Sequence, residues 1–103
     1  MESRTRTNGS RLREVISSSE IVSVYQPIVD LTDGETVGYE ALARGPSGQS
    51  LESPAELFGA AAKEDLIPEL DWACRIAAVE GALNGGVKPP QSNTQGALTL
   101  SFQ

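Results

Sequence analysis

Apolar residues recur along this chain with two different periods, and the change of period marks its elements. Leu12, Val15 and Ile16 fall at helical spacing before Ser17-Ser18-Ser19, which predicts a short helix from Ser10. Ile21 to Leu31 is rich in Val, Ile and Tyr and reads as a strand. On it Val22, Val24, Gln26 and Ile28 share one face, and Ser23, Tyr25, Pro27 and Val29 share the other. Pro27 has no ladder donor and implies an edge, a bulge or a strand end. Thr32-Asp33-Gly34-Glu35 is a turn, and Thr36 to Arg44 a second strand, so the two are expected to form an antiparallel hairpin.

A loop follows over residues 45–53. Ser53 then reads as an N-cap, with Pro54 at the first helical position and Glu56 completing a capping box, for a helix to about Asp65. Pro68 opens another, expected to reach Asn84, with Leu70, Ala73, Cys74, Ala77, Ala78 and Gly81 as its buried stripe. Asp71 and Arg75 form an i,i+4 pair on its flank. Asn84-Gly85-Gly86 is a helix stop, residues 87–96 are a polar loop, and Ala97 to Phe102 reads as a third strand. The pattern is an α/β opening: hairpin, two helices, returning strand. Residues 1–9 lack periodicity. Residues 1–11 are expected to form a disordered tail and residues 12–103 a domain.

Charge divides the same way. Of eight basic residues, Arg4, Arg6, Arg11 and Arg13 lie in the first thirteen positions, leaving four positive and thirteen negative charges, a net of −9, on residues 14–103. Such an acidic body argues against a nucleic-acid partner, and the arginines of the N-terminus are expected to be solvated. Cys74 is the single cysteine and there is no histidine, so an intrachain disulfide, a Cys/His zinc site and a histidine-based triad are excluded. No apolar run approaches membrane-spanning length, and no membrane insertion and a cytoplasmic location are expected. The length suits one domain of modest core, whereas a complete (β/α)₈ barrel takes roughly 200 residues or more.

The candidate chemistry lies in Tyr39-Glu40-Ala41-Leu42-Ala43-Arg44. Alternation points Glu40, Leu42 and Arg44 one way along the strand. A carboxylate is a hard ligand for Mg²⁺ or Mn²⁺, and a guanidinium is a planar clamp for phosphate. Metal-assisted phosphodiester chemistry uses both. Without a metal, Glu40 and Arg44 are expected to pair with each other. Gln26 is either a ligand-binding residue or the partner of a backbone group beside Pro27. Cys74 and the alanine-rich stripe read as packing, and Trp72, off the stripe, packs on a neighbouring element or marks a partner surface.

Tyr25-Gln26-Pro27-Ile28-Val29-Asp30, followed by Gly38-Tyr39-Glu40-Ala41-Leu42-Ala43-Arg44, resembles the start of the EAL domain, a family of bacterial phosphodiesterases that linearise cyclic di-GMP. Pro54-Ala55-Glu56-Leu57-Phe58, Leu70-Asp71-Trp72 and Val87-Lys88-Pro89-Pro90 are similar to its next segments. The resemblance covers residues 12–103, less than half of such a domain. It implies an incomplete (β/α)₈ TIM-like barrel with divalent metal, Mg²⁺ or Mn²⁺, at its strand ends. It makes Glu40 a metal ligand, Arg44 a holder of substrate phosphate, and Gln26 and Leu42 lining of the dinucleotide cleft. The family's later ligands would lie on further strands, and Gln103 would fall near an asparagine ligand. The resemblance therefore implies a partial domain, inactive by itself, whose one carboxylate does not hold the metal alone against its hydration. The alternative is a module that binds cyclic di-GMP, self-associates, or docks on another EAL-type protein.

Overall fold

A computed structural model describes residues 8–87 and 100–102. Helix α1 spans Asn8–Ser17, strand β1 Val22–Val29, strand β2 Thr36–Arg44, helix α2 Pro54–Glu64, helix α3 Ile67–Gly81 and strand β3 Leu100–Phe102. The sheet order is β1-β2-β3. β1 and β2 form the expected antiparallel hairpin, with Gln26 opposite Glu40, Val24 opposite Leu42 and Val22 opposite Arg44. A register shift falls between Ile28 and Val29, next to Pro27, which pairs with Tyr39 on the outer strand of the described sheet. After two helices the chain returns parallel to β2, with Leu100 opposite Tyr39, Ser101 opposite Glu40 and Phe102 opposite Ala41. The architecture is α/β, and among the described residues three strands form the sheet; they do not close a barrel.

The hairpin turn is tighter in its bonding than the tetrapeptide suggests. Asp30 N–H donates to Glu35 O and Gly34 N–H to Asp30 O, both at 2.8 Å. The Asp30 carboxylate accepts from the Thr32 hydroxyl and backbone N–H, and these bonds hold its pKa below the usual carboxylate range. Gly34 supplies the positive φ of +72° that the turn needs.

The core lies between the sheet and the helices. Leu12 and Val15 of α1, Ile21, Leu51 of the 45–53 loop, Leu57, Ala60 and Ala61 of α2 and Leu70 of α3 form one buried cluster. Ser53 caps α2, its hydroxyl accepting from Glu56 N–H at 3.2 Å, and Asp65 ends the helix in the left-handed region. On α3, Leu70 and Ala78 are buried and Ala73, Cys74 and Ala77 partly so, as the stripe predicts. The Asp71–Arg75 pair forms at 2.9 Å.

Two boundaries differ from the expectation. Helix α1 begins at Asn8, so residues 8–11, assigned to the tail, are helical; residues 1–7 lie outside the described ones. Arg11 and Arg13, expected to be solvated, are instead tied down. Arg11 is 17% exposed and pairs with Glu20 at 2.8 Å and Glu14 at 2.9 Å, while Arg13 pairs with Glu64 at 2.9 Å. Helix α3 ends at Gly81 rather than Asn84, because the chain widens into a π turn over Ala82–Gly86, where Gly85 takes φ +92°. Of the third strand, residues 100–102 are described and 97–99 are not.

Candidate functional site

Tyr25 decides which face of the sheet the helices cover. Its hydroxyl donates to Ala78 O on α3 at 2.6 Å. A Cβ at Gly81 would collide with that hydroxyl, so glycine is what lets α3 close on β1. Ser23, Ala41, Ala43 and Phe102 line a cavity of about 390 Å³ with side chains of α2 and α3, and Arg75 stacks over the Phe102 ring at 5.1 Å. Helices therefore pack on the Tyr25, Ala41 and Phe102 side. Alternation then puts Gln26, Glu40, Leu42, Arg44 and Ser101 on the opposite side.

The described residues leave that opposite side largely open. Val22, Val24 and Ile28 are 54%, 43% and 40% exposed, against 5% for Ala41 under the helices. Glu40, Leu42 and Arg44 are half-buried and Gln26 is exposed. Gln26, Glu40 and Ser101 form one row across the three strands. Leu42 and Arg44 follow toward the C-terminal end of β2.

The expected pairing of Glu40 with Arg44 does not form. Arg44 Nη1 donates instead to Ala43 O at 2.8 Å. Four residues along a strand separate the two Cα atoms by about 13 Å, so the pair would need both side chains laid along the strand. Among the described residues, no hydrogen bond or ion pair engages the Glu40 carboxylate or the Gln26 amide, so Gln26 is not the partner of a backbone group beside Pro27.

Arg44 stands at the mouth of a pinned loop. Gly45 N–H donates to Glu52 O at 2.8 Å, and Leu51 is driven into the core. A Cβ at Gly45 would overlap Leu51 O, so this close approach requires glycine. The roles of Tyr25 and Gly45 were missed from sequence. Tyr25 lies beside Gln26 in its motif, which is the one local signal; its partner is 53 positions away. Trp72 is 65% exposed and borders a groove with Val15, Ile16 and Ile21 rather than packing into a neighbour. Gln103 lies outside the described residues.

With this geometry in hand, comparison with known proteins decides the family. The model of the EAL domain matches residues 10–93. The chain belongs to the EAL domain family. Members of this family are generally cyclic di-GMP phosphodiesterases that use divalent metal. The EAL chain is 35% identical over 82 residues to an uncharacterized signaling protein of Caulobacter vibrioides, covering 77% of this chain and 10% of that protein. It is 37% identical over 71 residues to the uncharacterized protein y4lL of Sinorhizobium fredii, covering 67% of this chain and 9% of that one. It thus spans about a tenth of the length of these curated relatives.

The donor set of this EAL chain can be set against the metal its family uses. Among the described residues, no group of three or more His, Cys, Asp or Glu side chains is placed to hold a metal ion. The Gln26–Glu40–Ser101 row offers one carboxylate, one amide carbonyl and one hydroxyl, all hard oxygen donors. One carboxylate with neutral oxygens fits a single hydrated cation shared with a ligand phosphate, which is how Mg²⁺ is commonly held. It does not fit a two-metal centre, which needs several anionic ligands.

Proposed function

We propose that this chain supplies the first wall of an EAL-type cyclic di-GMP site, binding the dinucleotide without hydrolysing it by itself. The observation that carries the reading is the open sheet face on which Gln26, Glu40, Leu42 and Arg44 stand together while the helices cover the other side. Arg44 holds a phosphate of the dinucleotide through its guanidinium. Leu42 and Gln26 line the cleft, one offering apolar surface and the other an amide for base or sugar oxygens. Glu40 ligates Mg²⁺ or Mn²⁺ jointly with that phosphate. A bound cation would polarise the phosphoryl group and acidify a water, but full hydrolysis needs further carboxylates to fix it.

Calorimetric titration with cyclic di-GMP, paired with chromatography of the product, tests this. Binding is expected, weakened about tenfold or more by Arg44→Ala, with no steady formation of the linear dinucleotide. Robust turnover abolished by Glu40→Ala would overturn the claim of inactivity, and absence of binding would overturn the reading itself. A second reading, docking on another EAL-type protein or on a second copy, is favoured by the exposed Val22, Val24 and Ile28.

A further inference from the structure

We propose that the cavity between the sheet and helices α2 and α3 binds a flat aromatic carboxylate, at a site separate from the face that carries Glu40 and Arg44. The cavity measures about 390 Å³. Protein interiors are close-packed and hold few voids larger than a water molecule. An apolar cavity of about 150 Å³ already takes a benzene ring, so this one has room for two fused rings. Small side chains make the space: Ser23 on β1, Ala41 and Ala43 on β2 and Ala55 on α2 line it where larger residues would fill it. Phe58 of α2 and Phe102 of β3 add two aromatic surfaces.

The polar part of the lining is Asp71 and Arg75 of α3, whose side chains are half exposed, whereas Ala41 is buried. Arg75 is fixed from two sides. Its Nε donates to the Asp71 carboxylate at 2.9 Å, and its guanidinium lies 5.1 Å from the centre of the Phe102 ring. Asp71 thus takes one edge of the fork, and among the described residues no bond engages the Nη edge. Two parallel N–H groups match the two oxygens of a carboxylate. Asp71 also sets the charge of the head group, because a phosphate dianion would meet its repulsion more strongly than a monoanion does. The ligand's carboxylate meets Arg75, and its rings enter among Phe58, Phe102 and the alanines. Alternation keeps this site apart from Gln26, Glu40, Leu42 and Arg44, which stand on the other side of the sheet.

Titration of 2-naphthoate into the isotope-labelled full chain, followed by backbone amide shifts, tests the proposal, with 2-naphthylmethanol as the uncharged counterpart. Shifts are expected first at Ala41, Ala43, Cys74 and Phe102, with the acid binding about tenfold more tightly than the alcohol. Arg75→Met should erase that preference and leave the midpoint of the alcohol unchanged. Ala43→Leu fills the space and should abolish binding of both compounds. If that variant fails to fold, Arg75→Met, a change at an exposed position of α3, decides the matter by itself. Equal midpoints for acid and alcohol, or shifts centred on Trp72 or Glu40, would overturn the proposal. Displacement of 2-naphthoate by cyclic di-GMP would overturn it too, since the two sites lie on opposite sides of the sheet.

Discussion

Cys74 shows how far a single residue's chemistry follows from its neighbours. Its side chain lies between α3 and the sheet, beside the cavity lined by Ala41, Ala43 and Phe58. Burial pushes its thiol up to about 11, and the Asp71 carboxylate one turn earlier adds to the effect. The thiolate is the nucleophile, so at pH 8.5 alkylation by iodoacetamide should run roughly 100-fold slower than for an unfolded cysteine, and accelerate in urea. Equal rates in the two states would contradict the packing. The sign of the linkage also follows: between about 9 and 11 the unfolded chain binds fewer protons, so stability falls as pH rises through that window. The packing role of Cys74 was legible, because helical periodicity alone places it on the stripe. The shared face of Glu40, Leu42 and Arg44 was legible for the same reason, since strand alternation is local. The partner of Tyr25 was not, because Ala78 O lies 53 positions away. The level of β3 against β2 was not legible either, because it depends on the pairing of distant strands.

Elements were legible where their signals are short-range. Helix α2 carries its own start, and the Ser53 hydroxyl accepts from Glu56 N–H as the sequence predicts. Ser53→Ala should cost about 1 kcal/mol in urea-denaturation free energy, while Ser53→Asp, which keeps an acceptor at the cap, should cost far less. Equal losses would show that the cap bond contributes nothing. Element ends set by long-range contacts were harder to place. The start of α1 at Asn8 is secured by Arg13 reaching Glu64 on α2 and by Arg11 gathering Glu14, Glu20 and Gln49, partners up to 51 positions distant. The end of α3 is set by the glycines that pass Tyr25: a Cβ at Gly86 would come within 2.9 Å of its ring. Neither contact leaves a periodic trace in the sequence, and so both boundaries moved.

The two faces of the whole molecule are unequal, and that inequality is measurable. On the helix side the core is sealed: Leu12, Leu57 and Leu70 are fully buried, in contact through one cluster. On the other side Val22, Val24 and Ile28 present apolar surface beside Glu40 and Arg44. Leu57→Ala should therefore cost 2–5 kcal/mol, the usual range for emptying a buried leucine site. Val24→Thr keeps β-branching and volume and adds one hydroxyl, so on an open face it should change stability by less than about 0.5 kcal/mol. If a second copy or another EAL-type protein covers that face in solution, the hydroxyl is buried without a partner and the same variant should cost about 1–3 kcal/mol. Coverage by a second copy has its own signature, because the unfolding midpoint then rises with protein concentration. A silent Val24→Thr together with a midpoint independent of concentration would rule out the self-association reading. The same result would leave the face free for the dinucleotide, since Gln26, Glu40, Leu42 and Arg44 stand on it.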